Sequence, residues 1–242
     1  MATSENHYRD VLSDVYSWMQ GGFETQLKSN HEFFDRLKLH PTGSKTAVDL
    51  GAGCGFQSIP LSERGFNVTA IDLDQKLLDE LRANDTTDRV VTHCDDLLHF
   101  SQHVESHCEL TVCMTDTLLH LPTKADVSRL LCDVYQQLEK SGQFVLTFRD
   151  MSFELTDLDR FIPVKQDSQT IFTCFLEYEQ EQVKVHDLVY TSVAGTWELK
   201  KSFYRKLRLS PDWVESQLRA AGFTGVDLQV TNGLVTVVSR KS

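Results

Sequence analysis

The stretch Ala47-Val48-Asp49-Leu50-Gly51-Ala52-Gly53-Cys54-Gly55-Phe56 decides the fold. It reads as a short apolar strand that ends near an acid, passes through three glycines at alternate positions, and enters an amphipathic helix. Glycine reaches positive φ without penalty and, lacking a Cβ, lets a ligand lie against the backbone. Nucleotide-type ligands sit at such strand-to-helix turns in open parallel sheets. A dinucleotide fingerprint requires G-x-G-x-x-G. Gly51 and Gly53 fit it, but the third glycine position holds Phe56, and the spacing is instead D-x-G-x-G-x-G.

Further strands follow at regular intervals. Asn67-Val68-Thr69-Ala70-Ile71-Asp72 ends in a second acid, suited to accept both donors of a ribose diol. Leu73 comes next, where an apolar side chain can cover an adenine face. A third strand is read at Arg89 to His93, followed by Cys94-Asp95-Asp96-Leu97, a fourth at Glu109 to Asp116, and a fifth at Gly142 to Asp150. Helices are read at Phe56 to Glu63, Gln75 to Asn84 and Lys124 to Glu139. Such alternation implies a doubly wound α/β sheet. Near the end, Asn232-Gly233 separates two β-rich runs, a strong hairpin signal that places an antiparallel strand in the sheet. Ser210, Pro211 and Gly222 bracket a last helix.

Taken in this order, the segments at 45–150 and 209–240 resemble class I S-adenosylmethionine-dependent methyltransferases of the small-molecule type. The resemblance implies a Rossmann-like seven-stranded sheet and S-adenosyl-L-methionine as cofactor. It implies cofactor contacts from Asp49, Gly51, Ala52 and Gly53 in the glycine loop, and from Asp72 and Leu73 at the ribose and adenine. It further implies Asp95 or Asp96, with Leu97, at the adenine amine, and Met114 and Thr115 at the methionine part. An aromatic of the N-terminal region, Tyr16, is expected against the cofactor. On the acceptor side the candidates are Asp116, His120, Arg149 and Tyr204. The reaction is expected to be an in-line displacement in which positioning supplies much of the rate.

Residues 1–40 are read as two amphipathic helices broken at Gly21-Gly22, forming a lid. Residues 151–208 alternate as three strands, expected as a small antiparallel sheet inserted over the substrate site. The whole of 1–242 is thus read as one methyltransferase domain. The same residues leave two other functions open: an NAD-dependent oxidoreductase, disfavoured by Phe56 and the hairpin, and a silent binding module, disfavoured by the intact glycines and acids.

A net charge of −11 argues against a nucleic-acid partner, whose phosphates require clustered cations. The exception is Lys200-Lys201-Ser202-Phe203-Tyr204-Arg205-Lys206-Leu207-Arg208, read either as a solvated strand face or as a source of one or two cations for an anionic substrate group. No apolar run approaches the ~18 residues of a membrane span. A polar N terminus and six irregularly spaced cysteines lead us to expect reduced thiols and a cytoplasmic protein. His99, His103 and His107 recur every four residues, but their short polar segment is read as surface, and no metal is expected. The methyl acceptor and the oligomeric state are not legible in the residues.

Overall fold

The computed structural model describes residues 7–242. Seven strands form one sheet in the order β10-β11-β5-β4-β1-β2-β3. Its centre is β1 (Thr46–Leu50), flanked by β2 (Asn67–Asp72) and β4 (Cys108–Cys113), with β3 (Val90–Cys94) outside β2 and β5 (Leu138–Arg149) outside β4. These five run parallel. β11 (Leu234–Arg240) runs antiparallel to both β5 and β10 (Thr224–Thr231), as the Asn232-Gly233 turn required. Both turn residues have positive φ, 51° and 76°. Strands buried on both faces are mostly apolar; β1 and β4 are buried along nearly their whole length, with Asp49 in β1 and Glu109 and Thr111 in β4 as their buried polar residues. The strand order reverses between β1 and β4, so a crevice opens at the carboxyl ends of these strands.

Helices cover both faces. α1 (Tyr16–Met19), α2 (Phe23–Arg36), α3 (Ser58–Glu63), α4 (Gln75–Asn84), α5 (Lys124–Gln137) and α6 (Pro211–Ala221) account for the α-helical segments of the described residues. α4 matches its sequence reading because Asp74 caps it, accepting the Lys76 and Leu77 N–H groups. α6 starts on Ser210, whose Oγ accepts the Trp213 N–H, and stops at Gly222, at φ 110° with the Tyr135 ring 2.8 Å from where a Cβ would stand.

The second sheet is antiparallel, in the order β6 (Phe161–Gln166), β7 (Thr170–Tyr178), β8 (Gln182–Val193), β9 (Thr196–Leu207). It has four strands where three were expected. β6 escaped because Pro163 interrupts its pattern. A proline is tolerated on an edge strand, and here it sits where the β6–β7 register shifts. β5 also begins earlier than read, because Leu138 already pairs with Cys108 and the Ser141 N–H bonds to the Lys241 carbonyl. Residues 1–6 of the expected first helix lie outside the described residues, and the rest of it is broken into a one-turn π-helix, Tyr8–Leu12, and α1.

That N-terminal segment ties the two sheets together. Val11 and Leu12 are buried with Phe172, Leu176, Val185 and Tyr204 from the second sheet. Ser17 Oγ donates to Glu80 on α4 at 2.7 Å, and Trp18 Nε1 donates to Asp167 at 2.7 Å, beyond β6. Among the described residues, no helix is long and apolar enough to cross a membrane.

Candidate active site

Two adjoining cavities open at the carboxyl edge of the sheet and share Tyr16, Thr117 and His120. The smaller, a cleft of about 100 Å³, is walled by Gly51, Gly53, Asp72, Leu73, Asp95 and Leu97 among others. The larger, a chamber of about 350 Å³, lies between the first sheet and the inner face of the second.

The cleft begins at the glycine loop. Gly51 and Gly53 take φ of 77° and 52°. The Gly51 and Ala52 N–H groups both bond to the Ile71 carbonyl, pinning the loop to the end of β2. A Cβ on Gly51 would lie 2.3 Å from Thr117, whereas one on Gly53 would meet the Tyr16 ring at 3.7 Å. Tyr16 therefore lies over Gly53. Asp72 bridges the loop and the next helix, accepting the Gly53 N–H through Oδ2 and the Asp74 N–H through Oδ1, each at 2.8 Å. A carboxylate has about four acceptor positions, so Asp72 keeps capacity for donors entering the cleft. Burial pushes its pKa up to about 6. Leu73 is 47% exposed, an apolar surface awaiting cover.

Asp95 is engaged by its own neighbours. His103 Nε2 lies 2.8 Å from one oxygen and His99 Nδ1 3.2 Å from the other. These bonds, His103 first, hold its pKa down at about 2. The histidine repeat thus converges on a carboxylate, while His107 turns away to the Gln137 carbonyl. Asp96 caps the following turn through the Leu98 N–H. Asp49, Ala52, Asp96 and Met114 stand behind the walls rather than on them.

Asp49 is buried, with Ser58 Oγ donating to Oδ2 at 2.6 Å, while Oδ1 has no partner among the described residues. Burial pushes its pKa up to about 7. The folded state then keeps a proton that the unfolded chain loses near the ordinary carboxylate range. The associated stability is present at low pH and lost as pH climbs from roughly 4 to about 7. Asp49→Asn is expected to flatten the fall in unfolding free energy across that window. Denaturant titrations on either side of it check this, and a slope as steep as wild type would contradict it.

The chamber brings Thr115, Asp116, His120, Arg149 and Tyr204 together, all singled out in the sequence. Asp116 is 8% exposed. Its Oδ2 accepts from Lys206 Nζ at 2.6 Å, its Oδ1 accepts the Arg149 N–H at 3.0 Å, and the Arg149 guanidinium lies 3.7 Å away. Burial pulls the Asp116 pKa upward, but the Lys206 and Arg149 cations outweigh it and the net direction is down. Arg149 thus pairs with Asp116, not with Asp150, which accepts from Ser152 instead. His120 stacks on Tyr204, ring centroids 5.2 Å apart, and burial beside Lys206 lowers its pKa to about 3.

Further charged groups line the chamber. Lys206 belongs to the basic run, and alternation puts it on the same strand face as Tyr204. Asp187, 1% exposed, faces inward from β8, accepting from Cys174 Sγ at 2.8 Å, with His7 Nε2 2.8 Å from its other oxygen. His7 and Asp187 are 180 positions apart, and no local pattern joins them.

Comparison with known proteins agrees with this geometry. Residues 47–142 match a family described as a methyltransferase domain. A glycine/sarcosine N-methyltransferase of Aphanothece halophytica is 30% identical over 158 residues, 63% of this chain and 59% of that protein. A second, of Parasynechococcus marenigrum, is 25% identical over 130 residues, 53% of this chain and 46% of that one. The chain therefore spans only about half the length of these curated relatives. Among solved structures, the CcbJ methyltransferase of Streptomyces caelestis superposes with a TM-score of 0.78 at 17% identity, covering 99% of both chains. The amino pentose methyltransferase CalS10 of Micromonospora echinaspora, solved with S-adenosylmethionine bound, gives 0.77 at 14% identity, covering 95% of this chain and 96% of that one. Residues 47–142 thus resemble a methyltransferase domain, and the fold of the chain is the one found in these S-adenosylmethionine-dependent methyltransferase structures.

Proposed function

We propose that the chain binds S-adenosylmethionine in the cleft and transfers its methyl group to the nitrogen of a small molecule held in the chamber. The observation that carries this reading is the Asp72 carboxylate, tied to the Gly53 N–H and exposed to the same cleft as Leu73 and Leu97. Donors of a ribose would meet Asp72, and apolar side chains would cover a purine ring. Asp49 Oδ1, buried without a partner among the described residues, leaves acceptor capacity beside the glycine loop. The residues present fit the cofactor.

When bound, S-adenosylmethionine supplies a methyl group on a sulfonium, ready for attack by a lone pair. The chain's own part is to hold and to exclude. Tyr16, Thr117 and His120 form the seam between cleft and chamber, and the buried inner face of the second sheet keeps water from it. No group at this seam is tuned to take a proton near neutral pH. His120 is neutral there because its pKa sits near 3, and Asp116 is kept ionised by Lys206 and Arg149. A nucleophile that sheds its proton to solvent before binding suits such a site, and an amine does this far more readily than an alcohol. Positioning then carries the rate. The N-methyltransferase names of the relatives from Aphanothece halophytica and Parasynechococcus marenigrum support the choice of nitrogen.

Calorimetric titration with S-adenosylhomocysteine, with NAD as the control, tests the reading. Micromolar binding of the first and none of the second is expected. Asp72→Asn removes the charge but keeps the shape. Hydrogen bonds to a charged group contribute about 1.5–3 kcal/mol, so binding is expected to weaken at least tenfold with an unchanged circular-dichroism spectrum. Equal affinity in wild type and variant would remove Asp72 from the cofactor site.

A further inference from the structure

We propose that Lys206 reads a carboxylate on the methyl acceptor, so that the acceptor is an amine bearing an acid group. This rests on the methyltransferase reading above and names the substrate class of the same chamber.

Lys206 is 8% exposed and lines the chamber. Its ammonium has three N–H donors. One goes to Asp116 at 2.6 Å, and this is the one hydrogen bond it makes among the described residues. Nearby, the Tyr204 ring offers only its π face, 5.6 Å from Nζ. A buried ammonium with donors unspent is costly. If its role were packing, an apolar side chain of similar length would serve better on this face, where Phe172, Leu176 and Val185 already form the walls. Lys206 lines the chamber, so a ligand held there can take up the unspent donors.

Charge balance selects the ligand. Among the lining residues, Lys206 and Arg149 carry positive charge and Asp116 and Asp187 negative. A dianion such as a phosphate would leave the chamber with a larger excess of negative charge. An amino acid whose amine has shed its proton to solvent carries a single negative charge: its carboxylate meets Lys206, and its uncharged amine keeps the lone pair that attacks the methyl group. The chamber's ~350 Å³ is the volume of roughly a dozen water molecules in the liquid. An acceptor with an apolar body beyond the amino acid head fills it better than glycine alone.

The test uses the intact protein with methyl-labelled S-adenosylmethionine and two matched pools. One holds glycine, sarcosine, β-alanine and phenylalanine, and the other holds their carboxamides. Label is expected in the acid pool at least tenfold above the amide pool. In the double variant Lys206→Met with Asp116→Asn, which neutralises the pair together so that neither charge is stranded, the ratio is expected to fall to near one. Lys206→Arg keeps the charge and should keep the preference. Equal or greater label in the amides overturns the proposal, as does label in neither pool while adenosylhomocysteine still binds. A double variant that loses activity equally on both pools also overturns it, because Lys206 would then serve only to hold Asp116. Absence of adenosylhomocysteine binding is a different failure, that of the cofactor reading, and takes this inference with it.

Discussion

Asp116→Ala should lower the unfolding free energy by about 3–5 kcal/mol, the usual consequence of removing one partner from a buried ion pair. The magnitude follows from what remains. Lys206, itself buried, loses its hydrogen-bonded carboxylate, the Arg149 N–H loses its acceptor, and the guanidinium near Asp116 loses its counter-charge. For a chain of this size such a loss corresponds to a fall in melting temperature of roughly 6–20 °C. Replacing Lys206 by Met in the same chain should recover much of it, since an apolar pair in place of a buried ion pair is often neutral. The pH dependence has the opposite sign to that of Asp49. The Asp116 pKa is depressed, so its contribution is present above the ordinary carboxylate range and lost as pH falls through the folded value. Thermal melts of the single and double variants decide it. A melting point within a degree or two of wild type for Asp116→Ala would mean that the pair contributes no net stability.

The second large effect belongs to the glycine loop, where two glycines that look alike in sequence differ in consequence. Gly51→Val forces a branched side chain into φ 77°, with its Cβ 2.3 Å from Thr117. The backbone conformation costs about 1–2 kcal/mol and overpacking about 1–3 more. Thr117 sits on the seam, so whatever yields there also deforms both cavities, and adenosylhomocysteine binding should fall at least a hundredfold. Gly53→Ala meets the Tyr16 ring and the Leu77 side chain at ordinary contact distances, 3.7 and 4.0 Å, and adopts a milder φ of 52°. It should cost about 1 kcal/mol and weaken binding less than tenfold. Calorimetry on both variants tests the order, and a Gly53→Ala effect larger than that of Gly51→Val would contradict the geometry.

The fold around the glycine loop was legible because its information is local. A glycine loop, strand-terminal acids and an Asn-Gly turn each act over a few residues, and α4 and α6 end where their caps say. The acceptor half is assembled from distant pieces. Asp116 and Lys206 lie 90 positions apart, and His7 and Asp187 lie further still. Even so, part of that signal was available. Once Tyr204 is placed facing inward, the two-residue period of β9 carries Lys206 inward with it and turns Arg205 outward, where it pairs with Glu179. The strand β6 was hidden by one proline, and the early start of β5 by the polar run Glu139-Lys140-Ser141, which looks like a loop until its partners are seen.

The seam formed by Tyr16, Thr117 and His120 divides the chain's inheritance as well as its volume. On one side, the cleft walls come mostly from residues within 47–142. On the other, much of the chamber comes from residues 12–20 and 149–206, outside the matched stretch. On the function proposed above, substitutions on the second sheet would therefore reshape the acceptor chamber while the cleft stays intact. A lineage of such chains would diversify its chemistry by drift on those strands, and an engineer would do the same by exchanging them.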